Sequence, residues 1–213
     1  MSRRNDKRRD RGFTLIEVMV ATAVLTIGLV SVAALATTML ATGKRSKYMA
    51  LASTLASEKL EDLSRYPADV PQVCIPTGNT SVGSLTADSA PASVTCPKGD
   101  AGTVFYNDDV NISLGTSVST GGNCPNEGGC FAETVSGLNG SNTVYATTYH
   151  SPDGVVTTPA ATSSKPSNMT FHRRWLIEGD TPVSGVRRVT VVVSLIDNSV
   201  KPAVSFQMSM VRP

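Results

Sequence analysis

From Phe13 to Ala41 the chain runs for 29 residues with a single charged side chain, Glu17. As an α-helix rising ~1.5 Å per residue, this stretch reaches ~43 Å, more than the ~30 Å hydrocarbon core of a bilayer. It exceeds the about 7–15 apolar residues of an ordinary secretory signal, and no small-residue cleavage site closes it. Arg3, Arg4, Lys7, Arg8, Arg9 and Arg11 precede it, against Asp6 and Asp10. Such a flank keeps the N-terminus cytoplasmic and sends the following chain across the membrane. Arg3-Arg4 is followed by Asn5-Asp6 rather than by apolar residues, a poor fit to twin-arginine export. The formal charge of +2 is therefore local. After Gly12 there remain 13 basic and 15 acidic residues, which argues against a nucleic-acid-binding surface over the body as a whole.

Glu17 needs a partner, because a carboxylate at a bilayer centre costs roughly 2.5–3.5 kcal/mol on insertion scales, and less near an interface. Arg9 and Arg11 can snorkel toward it. A second solution is proteolytic. Cutting between Gly12 and Phe13 removes the basic leader and creates an α-amino group, with a reference pKa of about 7.7–8.0, one helical turn from Glu17. That amine can serve Glu17 of its own chain or of a neighbour.

The run Gly12-Phe13-Thr14-Leu15-Ile16-Glu17-Val18-Met19-Val20-Ala21 resembles the class III signal of type IV prepilins and of type II secretion pseudopilins. The resemblance implies cleavage after Gly12 by a membrane aspartyl prepilin peptidase, N-methylation of Phe13, and an assembly role for Glu17. It implies an inner-membrane, single-pass precursor with a cytoplasmic N-terminus, which later joins other pilins or minor pilins in a periplasmic or extracellular filament. Where many major pilins carry a proline, this chain has Ala34. The stretches Ile27-Gly28-Leu29-Val30 and Ala50–Glu61 resemble the pilus-modification class of minor pilins.

The helical pattern continues beyond the apolar stretch. Lys44, Arg45 and Lys47 mark a water interface, and Ala52, Ala56, Leu60 and Leu63 then recur at spacings of three and four, flanked by Leu51 and Leu55. Glu61 and Arg65 stand at i, i+4, and Tyr66-Pro67 is a natural stop. One continuous helix from Phe13 to Arg65 is expected, apolar all round in its first half and amphipathic in its second.

Residues 67–170 contain two basic and eight acidic side chains, with no arginine. Gly, Ser, Thr, Asn and Pro dominate, so turns and loops are expected, with short strands at Val104–Tyr106, Val110–Leu114 and Thr143–Thr147. Cys74, Cys96, Cys124 and Cys130 follow the apolar stretch and therefore lie outside the cytoplasm, where disulfides persist. Sequence neighbours close loops most readily, so Cys74–Cys96 and Cys124–Cys130 are the expected pairs. Free buried thiols are the alternative. Zinc is disfavoured by the lack of C-x-x-C and of a nearby histidine pair.

Three strands close the chain. Phe171, Arg173, Trp175 and Ile177 alternate with His172, Arg174, Leu176 and Glu178. Val189, Val191, Val193 and Leu195 share one face of the second. Val204, Phe206, Met208 and Met210 share one face of the third, with the methionines expected in the core. The apolar faces would pack on the helix stripe. This gives an α+β, pilin-like architecture in five parts: a cleaved leader 1–12, a transmembrane and assembly half-helix 13–43, an amphipathic half-helix 44–66, a loop-rich variable region 67–170, and a C-terminal antiparallel sheet 171–213. Arg173, Arg174, Arg187 and Arg188 are expected to form a solvated basic stripe, or one that meets an acidic neighbour or DNA.

No catalytic constellation is present. There is no G-x-S-x-G, P-loop or H-E-x-x-H, and His150 and His172 read as surface residues. Asp108, Asp109 and Asn111 fall short of an EF-hand and read as a turn. The chain is expected to be no enzyme and to hold no cofactor or metal. The favoured function is a minor type IV pilin that primes or caps assembly, with adhesion, twitching or DNA uptake as downstream roles. The alternatives are a minor pseudopilin of type II secretion and an adhesin whose 67–170 region takes an extracellular surface ligand.

Overall fold

The computed structural model describes residues 13–112, 131–139, 142–150, 156–158, 160–166 and 169–213. It divides into two compact units, residues 1–44 and 45–213. One helix, α1 (Leu15–Arg65), supplies elements to both.

In the first unit every described residue, 13–44, is exposed. Its 18-residue apolar window has a mean hydropathy of 2.4 and is long enough to cross a membrane. The helix begins two residues later than the apolar pattern does, because Thr14 caps it. Thr14 Oγ1 accepts from the Glu17 amide at 3.3 Å, and the Thr14 carbonyl accepts from the same amide at 3.1 Å. Thr-x-x-Glu is the spacing of a capping box. The hydroxyls within the apolar stretch turn inward on their own backbone: Thr22, Thr26, Ser31, Thr37, Thr38 and Thr42 each donate to a carbonyl three or four residues back, at 2.8–3.0 Å. Six polar residues thus sit in an apolar helix without an unpaired donor.

The second unit contains Arg45–Arg65 of α1 and the strands β1 (Ser81–Gly83), β2 (Ala92–Thr95), β3 (Ala101–Val104), β4 (Asn107–Ile112), β5 (Phe131–Asn139), β6 (Asn142–His150), β7 (Val156–Thr157), β8 (Phe171–Gly179), β9 (Arg187–Leu195) and β10 (Ser205–Arg212). Among the described residues, β10-β9-β8-β4-β5-β6-β7 form one antiparallel sheet, with β1 also on β8, and β2-β3 form a separate hairpin. β4 and β1 share one edge of β8 end to end: β4 pairs with Phe171–Arg174 and β1 with Leu176–Glu178. The junction needs Gly83, whose φ is 84°. A Cβ there would lie 2.2 Å from the Trp175 carbonyl oxygen.

The core lies between the helix stripe and one face of the sheet. Ala52, Leu55, Ala56, Leu60 and Leu63 pack with Phe171, Trp175, Ile177, Val189, Val191 and Val193, and Tyr48 meets Phe171 edge-on at 6.2 Å between centroids. Each buried Leu stabilises by about 1.5–3 kcal/mol. The helix ends at Tyr66-Pro67, where Arg212 donates to the Leu63 carbonyl at 3.1 Å and Arg65 pairs with Glu61 at 2.9 Å. Cys74 and Cys96 form a buried disulfide that ties the segment after the helix to the end of β2. Closing a loop of this length stabilises by about 3 kcal/mol in the chain-entropy account.

Several expectations need correction. The 67–170 region holds more strand than expected: Val110–Ile112 and Thr143–Thr147 fall in β4 and β6 as expected, and β5, which was not expected, lies between them in the sheet. Val104–Tyr106 is not a strand: β3 ends at Val104 and β4 starts at Asn107, so the chain changes sheets there. Met208 is 39% exposed. Its register partner Val191 is wholly buried, but among the described residues β10 is the edge strand and none lies beyond it to cover Met208. Cys124, Cys130, Ser113 and Leu114 lie outside the described residues, as does Gly12.

Candidate functional site

The apolar unit presents Phe13, 83% exposed, and Glu17 on the first turn of its helix. Among the described residues Glu17 forms no ion pair with another side chain. Its amide is occupied by the Thr14 cap, while its carboxylate stays at the helix surface beside Phe13, Val18 and Ala21. A segment of this kind can do one thing well. It offers a long apolar cylinder to lipid or to other apolar helices, with a single anionic point near its start.

The second unit places its charges differently. Arg173, in phase with the apolar residues of β8, is wholly buried. Its Nε and Nη2 each donate to the Asp108 carboxylate at 2.8 Å, and Nη2 also donates to Glu133. Lys59, from α1, brings Nζ to 3.5 Å from Asp108 and 3.7 Å from Asp62, and lies 4.5 Å from the centre of the Trp175 ring. Burial works against the Arg173 charge, but Asp108 and Glu133 outweigh it and hold the guanidinium more basic than usual. Burial likewise pushes Glu133 up, and His150, Arg173 and Lys59 together bring it well below the ordinary carboxylate range. Glu58 is raised by burial. His150 stacks on Phe131 at 4.3 Å, with Nε2 3.5 Å from Glu133.

A second cluster occupies the opposite face of β8. His172 Nδ1 lies 2.7 Å from Asp109 Oδ1, and its Nε2 lies 2.7 Å from Asp88 Oδ1. Arg174 Nε donates to the same Asp88 oxygen at 2.7 Å, and Lys165 pairs with Asp109 at 2.6 Å. The Asp109 bond raises the His172 pKa, and Asp88 adds to it against burial. Burial raises both aspartates, but Arg174 and His172 on Asp88, and His172 and Lys165 on Asp109, leave each below its usual value.

The expected basic stripe therefore does not exist as a free surface. Arg173 is consumed by Asp108 and Glu133, Arg174 by Asp88, and Arg188 by Glu178 at 2.8 Å. Arg187 donates to the carbonyls of Ala68 and Val73 at 2.7 and 3.0 Å. Neither histidine is an ordinary surface residue, and Asp108 and Asp109 belong to a strand rather than a turn. Sequence reasoning missed Asp88, Glu133 and Lys59 altogether. Among the described residues, no group of three or more His, Cys, Asp or Glu side chains is placed to hold a metal ion.

Residues 7–33 match the family model described as the prokaryotic N-terminal methylation motif. The chain carries a type IV prepilin-like signal. No curated protein and no solved structure matches it. The motif spans the Gly12–Phe13 bond, Glu17 and the exposed apolar helix, and it points to a structural protein of the type IV pilin-like or pseudopilin kind. It implies processing by a peptidase and assembly with other pilins, and with the apolar helix it fits a membrane-anchored pilin.

Proposed function

We propose that this chain is a minor type IV pilin, a low-abundance filament subunit that helps prime or cap pilus assembly. The observation that carries the reading is the coincidence, within residues 7–33, of the methylation motif with a helix whose apolar surface is exposed on all sides. Prepilin peptidase cuts after Gly12 and Phe13 is N-methylated. The apolar helix holds the subunit in the inner membrane until it transfers to the filament, exchanging lipid contacts for contacts with other pilin helices. Glu17 accepts the Phe13 amine of a neighbouring subunit. Because an unpaired carboxylate in apolar surroundings is costly, that pairing favours one axial register. Residues 45–213 stay outside the membrane and carry whatever contacts the filament makes with surfaces.

Mass spectrometry of the protein from envelope fractions tests the first step. The expected product starts with methylated Phe13. An intact Met1 start in cells with an active prepilin peptidase overturns the reading. Gly12→Glu is expected to block maturation, and Glu17→Ala to leave cleavage intact while incorporation into filaments falls.

A further inference from the structure

We propose that His172 is a proton-operated latch: as an imidazolium it pins the connection between β1 and β2 across the face of β8 opposite the helix, and on losing its proton it lets that connection lift. The geometry requires the doubly protonated ring. Both imidazole nitrogens lie 2.7 Å from carboxylate oxygens, and ionised carboxylates only accept hydrogen bonds. A neutral imidazole carries one N–H, so its second nitrogen would set a lone pair against a carboxylate. One of the two contacts must then open.

The topology decides which one. Asp109 is fixed on β4 as the direct cross-strand partner of His172, and Lys165 holds it from the other side. Asp88 sits on the connection of residues 84–91, which joins two short strands, and its side chain is 58% exposed. Asp88 is the contact that opens. β9 sets the uncharged Ser194 beside His172, so the charged groups facing the ring are Asp88, Asp109, Arg174 and Lys165.

Two further anchors hold the same connection without a titrating proton. Arg174 donates to Asp88 Oδ1, and Asn107 Nδ2 donates to the Ser89 carbonyl at 2.8 Å. The latch therefore loosens the connection rather than freeing it. The sign follows from the bonds: partners that favour the charged ring make the closed form complete at acid pH and weaken it as pH rises through the folded-state pKa of His172. The face of β8 and β4 beneath residues 84–91 is then covered in acid and accessible in alkaline surroundings.

The test uses the full chain in detergent micelles. Amide hydrogen exchange over residues 84–91, corrected for intrinsic pH dependence, is followed from about pH 5.5 to about pH 9, bracketing the ordinary histidine value. Amides of β8 and β9 serve as the control for global unfolding. Protection of 84–91 is expected to fall about tenfold across the range, the scale of one hydrogen bond to a charged group, while β8 and β9 hold. In His172→Gln and in Asp88→Asn the low-pH gain in protection is expected to be absent and the profile flat. Because the chain has two histidines, ¹⁵N-histidine spectra assigned with His150→Gln report the ring directly. Both ring nitrogens of His172 should be protonated at about pH 6, below the unperturbed pKa. A neutral ring at that pH, a flat wild-type profile, or His172→Gln retaining the wild-type profile would each overturn the latch.

Discussion

The two units of this chain handle charge in opposite ways. Residues 13–44 contain Glu17 and, at their far end, Lys44, with only hydroxyls as polar groups between, and each of those described above is bonded back to its own helix. Residues 45–213 bury Arg173, Lys59 and Asp108 and surround them with counter-charges. The first unit avoids electrostatics in order to expose apolar surface. The second accepts a costly burial of ions and recovers it through bidentate geometry. Apolar helix contacts suit exchange between lipid and protein, because they have no fixed direction. Buried ion pairs suit a body that must hold a single arrangement. The difference teaches that exposure of the apolar helix is a feature of the chain's design, since the same chain packs apolar and ionic groups into a closed core elsewhere.

Perturbing the buried pair should break that contrast hardest. Arg173→Met leaves Asp108 and Glu133 without their main cation and is expected to destabilise the second unit by about 3–5 kcal/mol, read from chemical denaturation with the buried Trp175, the chain's one tryptophan, as the fluorescent probe. Next is a matched pair of truncations. Leu60→Ala, in the core, should cost about 3 kcal/mol, whereas Leu29→Ala, 60% exposed on the apolar helix, should leave the same transition unchanged within about 0.5 kcal/mol. Equal effects would erase the distinction between the units. Replacing Cys74 and Cys96 together by serine is expected to lower the stability read from the same transition by about 2–4 kcal/mol.

The smallest effect comes from pH and acts on both flanks of the His172 cluster. Asp88 and Asp109 have depressed values, so their contribution is present above about 3.9, the unfolded aspartate value, and is lost as pH falls through their folded values. His172 is raised, so its contribution is full below about 6.5 and is lost as pH rises through its folded value. The denaturation midpoint should therefore be highest between these limits and decline on either side. Asp88→Asn should flatten both declines.

Much of the frame was legible in the letters. Spacings of three and four placed Ala52, Ala56, Leu60 and Leu63 on one buried stripe, and period-two alternation placed Phe171, Trp175 and Ile177 on one buried face. The alternation also put Arg173 in phase with that face, a signal that an arginine would be internal. Reading it required its partners, and these lie 65 and 40 residues earlier in the chain. Asp108 and Asp109 in turn made the first half of β4 look like a turn ahead of the strand expected at Val110–Leu114, because a strand whose buried face carries a carboxylate has no apolar alternation. The acid excess of residues 67–170 and the arginines beyond Thr170 are two halves of one arrangement, visible only when β8 lies beside β4. The Thr14-x-x-Glu17 spacing was a readable cap, overshadowed by the functional interest of Glu17. Edge position, which exposes Met208, depends on strand order and has no local signature.

The inward-turned hydroxyls of α1 have a consequence for packing. A helix that spends its Thr and Ser protons on its own carbonyls gives a neighbouring helix no hydrogen-bond donors to grip. Any rotation of such a cylinder about its long axis meets much the same chemistry. In the proposed filament, the angular setting between adjacent helices would then come from surface relief and from the one carboxylate near the start, so lateral contacts could slide and re-form while that point kept count of position.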